Sequence, residues 1–188
     1  MAPQEPPARP ELTVVGGLQD VGTDRTSRRQ DEVPERLADA VVVLLSGPNL
    51  SLLGQRQPEI YGRDTLSDHV ARATMAAAEN GMALEHVQSD YEGALVEAVH
   101  EARGRAAAIV VNPGALGHYS WALHDALASF DGPVIELHLT NPGRREDWRH
   151  VSVIGSVATG VIAGFGGDGY RLAIEAVASM LRSGRSSR

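Results

Sequence analysis

Asn49, Arg56 and Tyr61 stand on one long loop and between them offer an amide, a guanidinium and a phenol. A tyrosine is a poor base at its ordinary pKa of about 10, but a neighbouring guanidinium favours the phenolate. Spacing leaves a second reading open, in which Arg56 and Tyr61 merely cover the sheet beneath them. Further along, Glu136 and His138 are two residues apart and so share one face of a strand. A carboxylate beside an imidazole orients the ring and holds a proton on it, as a general acid requires. The alternative is a buried pair that satisfies itself. Arg145 and Arg149 are spaced for one side of a helical turn, where guanidinium groups grip a carboxylate in bidentate fashion. A solvated charged loop is the other reading of that segment.

Composition removes several chemistries. There is no cysteine, hence no thiol nucleophile, thiolate metal site or disulfide. All 17 basic residues are arginine, so Schiff-base chemistry, a pyridoxal phosphate anchor and the P-loop lysine are excluded. The seven histidines show no HxH or HExxH spacing, and no catalytic metal is expected. No GxSxG elbow is present either, which argues against serine hydrolysis. A formal charge of -7 speaks against a nucleic-acid partner. No apolar run approaches the roughly 20 residues of a membrane span, and the start of the chain does not read as a secretory signal. The expectation is a cytoplasmic protein with no membrane partner.

The elements that must position these residues alternate between strand and helix. The patterns predict strands at Ala40–Leu45, Ala83–Gln88, Ala107–Val111, Val134–Leu139 and Val161–Ala163. Helices are predicted at Thr65–Asn80, from the polar turn Ser89–Gly93 to about Arg103, from about Ser120 to Phe130 and from Tyr170 to Leu181, with Thr65 or Ser67 as cap of the first and Gly81 beyond its end. Such alternation predicts an α/β fold, a flavodoxin-like three-layer sandwich around a five-stranded parallel sheet of order 2-1-3-4-5. Ligands of such sheets bind outside the carboxyl ends of the strands, where Asn49, Asn112 and His138 fall. The glycine-rich turn Gly164–Gly169 follows the last strand, so it is not a dinucleotide fingerprint. Residues 1–38, rich in proline and mixed charge, are expected to form a disordered extension, with Leu12–Val15 as a possible extra strand. Residues 39–182 are expected to be a single catalytic domain and 183–188 a frayed tail.

Four stretches, GPNLSLLGQRQPEIYG, VVNPGALGHYSWAL, IELHLTN and VIAGFGGDGY, in this order and spacing resemble the type II 3-dehydroquinate dehydratases. The resemblance covers about residues 40 to 181. It implies a cofactor-free and metal-free hydro-lyase that converts 3-dehydroquinate to 3-dehydroshikimate by anti elimination through an enolate, in shikimate or quinate metabolism. On matching positions it makes Tyr61, activated by Arg56, the base at C2, and gives Asn49 the enolate. His138, oriented by Glu136, becomes the acid at the departing hydroxyl. Asn112, His118, Thr140, the Asn141 backbone and Arg149 would bind hydroxyls and carboxylate, Arg145 would help close the lid, and Asp125 would reach a neighbouring subunit's site. A homo-oligomer is implied, a dodecamer of trimers, whose partner is a small cyclic hydroxy acid.

The chain departs from the family pattern at Ser46 and Ser51, where Asn is usual, and at Asp90-Tyr91, where an Asn-His or similar pair is usual. Leu116-Gly117 replaces Tyr-Thr, and Pro142-Gly143 replaces an apolar residue and His. The last two changes are expected to alter the pocket wall. They motivate one further reading, a paralogue acting on a modified substrate such as an amino-dehydroquinate; a non-catalytic scaffold keeping the fold is the reading from another class.

Overall fold

The computed structural model describes residue 37 and residues 40–184. The expected extension, with Leu12–Val15, lies outside the described residues apart from Leu37 itself, which is fully buried in the core.

Five parallel strands form one sheet in the order β2-β1-β3-β4-β5, with β1 at Val41–Ser46, β2 at Ala83–Gln88, β3 at Ala108–Asn112, β4 at Val134–His138 and β5 at Gly160–Ala163. β1 and β3 are buried nearly throughout, which is why they read as unbroken apolar runs rather than alternating ones. The helices are α1 at Pro58–Tyr61, α2 at Leu66–Glu79, α3 at Glu92–Ala102, α4 at Trp121–Ala128 and α5 at Asp168–Ser183. Val42, Leu44, Val110, Ile135 and Leu137 pack with Ala73, Ala77, Ile174 and Val177 of α2 and α5 on one face of the sheet. Val43, Leu45, Ile109 and Val111 pack with Leu95, Val99, Leu123 and Leu127 of α3 and α4 on the other. Thr65 caps α2 in a reciprocal box with Asp68, and Ser120 caps α4 through the Leu123 amide. Among the described residues no helix is long and apolar enough to cross a membrane.

Two departures from the sequence expectation matter. α5 begins at Asp168 and runs to Ser183, past the predicted limits at both ends. The loop after β1 contains a helical turn of its own, α1, opened by a proline, and Tyr61 is its last residue. This loop also closes on itself. A methyl group on Gly54 would lie 2.8 Å from the Arg63 carbonyl, so the two ends of the segment touch.

The loops leaving β1 and β3 abut where the direction of strand addition reverses. The Gly47 amide donates to the Asn112 carbonyl at 2.8 Å, and a Cβ on Gly47 would sit 2.3 Å from the Pro113 carbonyl oxygen. Gly47→Ala must therefore push these neighbouring backbones apart, and we expect it to cost about 2–3 kcal/mol, read as a lowered midpoint in thermal or urea unfolding.

Candidate active site

Each element delivers its polar side chain at the carboxyl end of the sheet. A single cavity there is lined by Asn49 and Arg56 from the loop after β1, Tyr61 from α1, Asn112 at the end of β3 and His118 beyond it. His138 at the end of β4, then Thr140, Arg145 and Arg149, complete it, with Leu50, Leu53 and Leu139 as apolar wall. Asn49 adopts the left-handed conformation, φ 66°, which asparagine tolerates better than most residues. Its backbone amide donates to Asp90 Oδ1 at 2.7 Å. Asp90 thus acts as the clamp on Asn49, a role its position in a turn after β2 did not disclose.

The guanidinium at the phenol is not the one the spacing suggested. Arg145 Nη1 donates to the Tyr61 hydroxyl at 3.2 Å across 84 residues of sequence, and its charged carbon lies 5.6 Å from the ring centre. The bond to Tyr61 is the main reason that the Arg145 guanidinium is held above its ordinary pKa. Arg56 lines the same cavity, and Gln57 between it and α1 is left-handed, with φ 45°.

Arg145 is itself held. Nη1 lies 3.4 Å from the Thr140 hydroxyl, and Nε lies 3.4 Å from Glu146 Oε2. The same Glu146 oxygen accepts from Arg149 Nε at 2.8 Å, and Arg149 stacks 4.0 Å over the Trp148 ring. Glu146 holds its proton less readily than an ordinary glutamate, chiefly through a bond from its own backbone and next through Arg149. Sequence reading missed Glu146, which ties together the two arginines that line the cavity.

Glu136 lies behind His138, fully buried, and its Oε1 is 2.8 Å from His138 Nε2. A carboxylate only accepts, so Nε2 carries the hydrogen and Nδ1 is the nitrogen left to give or take a proton. The ring of His118 stacks on that of His138 at 6.1 Å, and His118 Nδ1 donates to the Val151 carbonyl at 2.8 Å. Ser152, also missed from sequence, holds the carboxyl group. Its hydroxyl has one hydrogen, and the 2.6 Å contact to Glu136 Oε1 takes it over the 3.2 Å contact to the Gly117 carbonyl. Removing that donor beside a buried carboxylate costs about 2 kcal/mol, so Ser152→Ala should lower the melting temperature by roughly 4–8 °C in a calorimetric scan.

Three predicted residues do not line the cavity. Glu136 adjoins it from behind, and Asn141 accepts from the Gly143 amide at 3.0 Å. Asp125 lies on the outer surface of α4, 83% exposed and paired with His124 at 2.9 Å. Neither Leu116 nor Gly117 lines the cavity. Leu116 is buried in the α3/α4 core, while a side chain at Gly117 would lie 3.4 Å from Glu136 Oε1, behind His138. Pro142 is the departure that does line the cavity. Among the described residues no three His, Asp or Glu side chains converge as metal ligands.

This arrangement can remove a proton with a phenolate held by a guanidinium and deliver one from an imidazole backed by a carboxylate, with amides and guanidinium groups around a polar anion. Residues 40–178 match the family model described as dehydroquinase class II. The chain is 50% identical over 143 residues to a 3-dehydroquinate dehydratase of Cereibacter sphaeroides, covering 76% of this chain and 97% of that protein. It is 50% identical over 151 residues to a 3-dehydroquinate dehydratase of Streptomyces avermitilis, covering 80% and 95%. Among solved structures, a type II dehydroquinase from Propionibacterium acnes superposes with a TM-score of 0.73 at 39% identity, over 76% of this chain and 98% of that one.

Proposed function

The chain belongs to the class II dehydroquinase family, and from that premise we propose that it is a 3-dehydroquinate dehydratase of the shikimate pathway. Tyr61 as phenolate takes the proton at C2, and the electron pair moves into the C3 carbonyl as an enolate that Asn49 stabilises. His138, protonated on Nδ1, then donates to the C1 hydroxyl. The C1–O bond breaks, the C1–C2 double bond forms and water leaves. Tyr61 ends protonated and His138 neutral, so one proton returned from Tyr61 to His138 through solvent resets the enzyme. Arg145 favours the phenolate, Glu136 stabilises the imidazolium, and Asn112, His118, Thr140 and Arg149, which line the cavity with Arg56, bind hydroxyls and carboxylate.

The observation that carries this reading is that the Arg145-bound Tyr61 hydroxyl and the Glu136-bound His138 ring open on one cavity. A scaffold has no use for that set. Pro142 in the cavity wall keeps one competitor in view, a paralogue acting on an amino analogue. The test is ultraviolet absorbance of the conjugated enone as 3-dehydroquinate is added. Turnover supports the assignment. Turnover of the amino analogue alone replaces it with the paralogue, and no chemistry with either leaves the scaffold.

We read residues 39–182 as one cytoplasmic catalytic domain and the assembly as a dodecamer of trimers. Exposed Tyr119, Trp121 and Asp125 on and beside α4 support a subunit contact there, through which Asp125 would reach the neighbouring site. Sedimentation or light scattering of the purified protein measures the copy number.

A further inference from the structure

Trp148 takes no part in the proton transfers and does not line the cavity, yet it touches two side chains that do. It stands in a short 3-10 turn, Asp147–Arg149, of the loop after β4. The Arg149 guanidinium carbon lies 4.0 Å from the centre of its ring. The His118 ring, from the loop after β3, meets it edge to face at 5.2 Å and 89°. The indole is thus a wedge between two loops, at the point where each delivers a polar side chain to the cavity.

Hydrogen bonds alone do not fix either neighbour. Arg149 Nε donates to Glu146 Oε2 at 2.8 Å, and Glu146 is itself half-exposed. One such bond lets the rest of the guanidinium pivot about Nε. Bidentate capture of a carboxylate needs the fork of the guanidinium held in one direction. The negative face of the indole draws the guanidinium onto it and removes that pivot. His118 also has a single bond, from Nδ1 to the Val151 carbonyl at 2.8 Å, and its ring is flanked by those of Trp148 and His138. From this geometry we infer that Trp148 is a positioning residue that sets the affinity of the site for the substrate's carboxylate, acting chiefly through Arg149. The inference rests on the reading of Arg149 as a carboxylate-binding residue.

The carboxylate keeps its charge from substrate to product, so an interaction with it favours the bound substrate and the transition state alike. Loss of such an interaction appears in KM and leaves kcat near its starting value. This separates Trp148 from Tyr61 and His138, whose loss falls on kcat. Aromatic character matters as well as bulk. Phenylalanine keeps a ring face, a weaker one than indole, and leucine has none.

Steady-state kinetics of the full chain with 3-dehydroquinate test the wedge. Trp148→Leu should raise KM about tenfold with kcat within about threefold of wild type, and Trp148→Phe should keep KM within about threefold. In an Arg149→Gln background, Trp148→Leu should raise KM less than about twofold further, because the group it acts through is gone. A tryptophan that only filled space would be missed equally in both backgrounds. A wild-type KM in Trp148→Leu, or the same tenfold rise repeated without Arg149, overturns the proposal. Nitrogen-15 spectra of the arginine side chains read the stack without turnover. An Arg149 Nε–H proton displaced by the aromatic ring current in the wild type and in Trp148→Phe, and not in Trp148→Leu, supports the proposal. An undisplaced proton in the wild type overturns it. An inactive wild type would instead defeat the dehydratase assignment, and the arginine spectrum would still be read.

Discussion

Tyr61→Phe should lower kcat by about 10³ to 10⁴, which corresponds to about 4–6 kcal/mol of lost transition-state stabilisation. The fold should be untouched, because Tyr61 is only partly buried against the α2/α5 core and its hydroxyl makes a single bond, to Arg145. Far-ultraviolet dichroism checks the fold, and enone absorbance checks the rate. The same pair of measurements separates the two arginines. Arg145→Gln should cost about 10² in kcat when Tyr61 is present and almost nothing in a Tyr61→Phe background, because Arg145 acts through the phenol. Arg56 lines the cavity without touching the hydroxyl, so its loss should remain additive with Tyr61→Phe. Additive loss for Arg145 as well would sink the assignment of Arg145 as the partner of the base.

His138→Gln should cost about 10³ in kcat with the fold intact. The glutamine amide reaches the position of Nε2 and keeps a donor on Glu136 Oε1, but it has no proton to give at the leaving group. His138→Ala should add a stability loss of about 2–3 kcal/mol, because it strips a fully buried carboxyl group of the donor on Oε1 that the glutamine keeps. Glu136 Oε2 already lacks a partner among the described residues, so the carboxylate has little else to lean on. Thermal melts of the two variants should therefore differ by several degrees while their rates are alike. Equal melting temperatures would mean that this donor does not hold Glu136.

The strand and helix layout was legible because each level of the chain agrees with the next. Apolar runs fill β1 and β3, and Thr65 and Ser120 cap the helices that follow. The positions of Asn49, Asn112 and His138 were legible for a different reason, since a parallel sheet exposes its ligands at the carboxyl ends of its strands. The Glu136–His138 pair followed from the two-residue repeat of a strand. What stayed hidden depends on distant segments meeting. Arg145 reaches Tyr61 across 84 residues, and no local periodicity encodes that approach. Ser152 and Asp90 sit in segments with ordinary turn composition and gain their roles only when Glu136 and Asn49 arrive beside them. Leu116 was misjudged because a loop beside a cleft was read as facing it, while its side chain turns into the core.

The touching ends at Gly54 and Arg63 give the segment between them the character of a bag drawn shut at the neck. Such a bag can swing on its neck while β1 and α2 stay folded, and it carries Arg56 and the base out together. Amides of residues 55–62 should thus exchange with solvent through an opening much cheaper than global unfolding, as hydrogen exchange read by mass spectrometry would show.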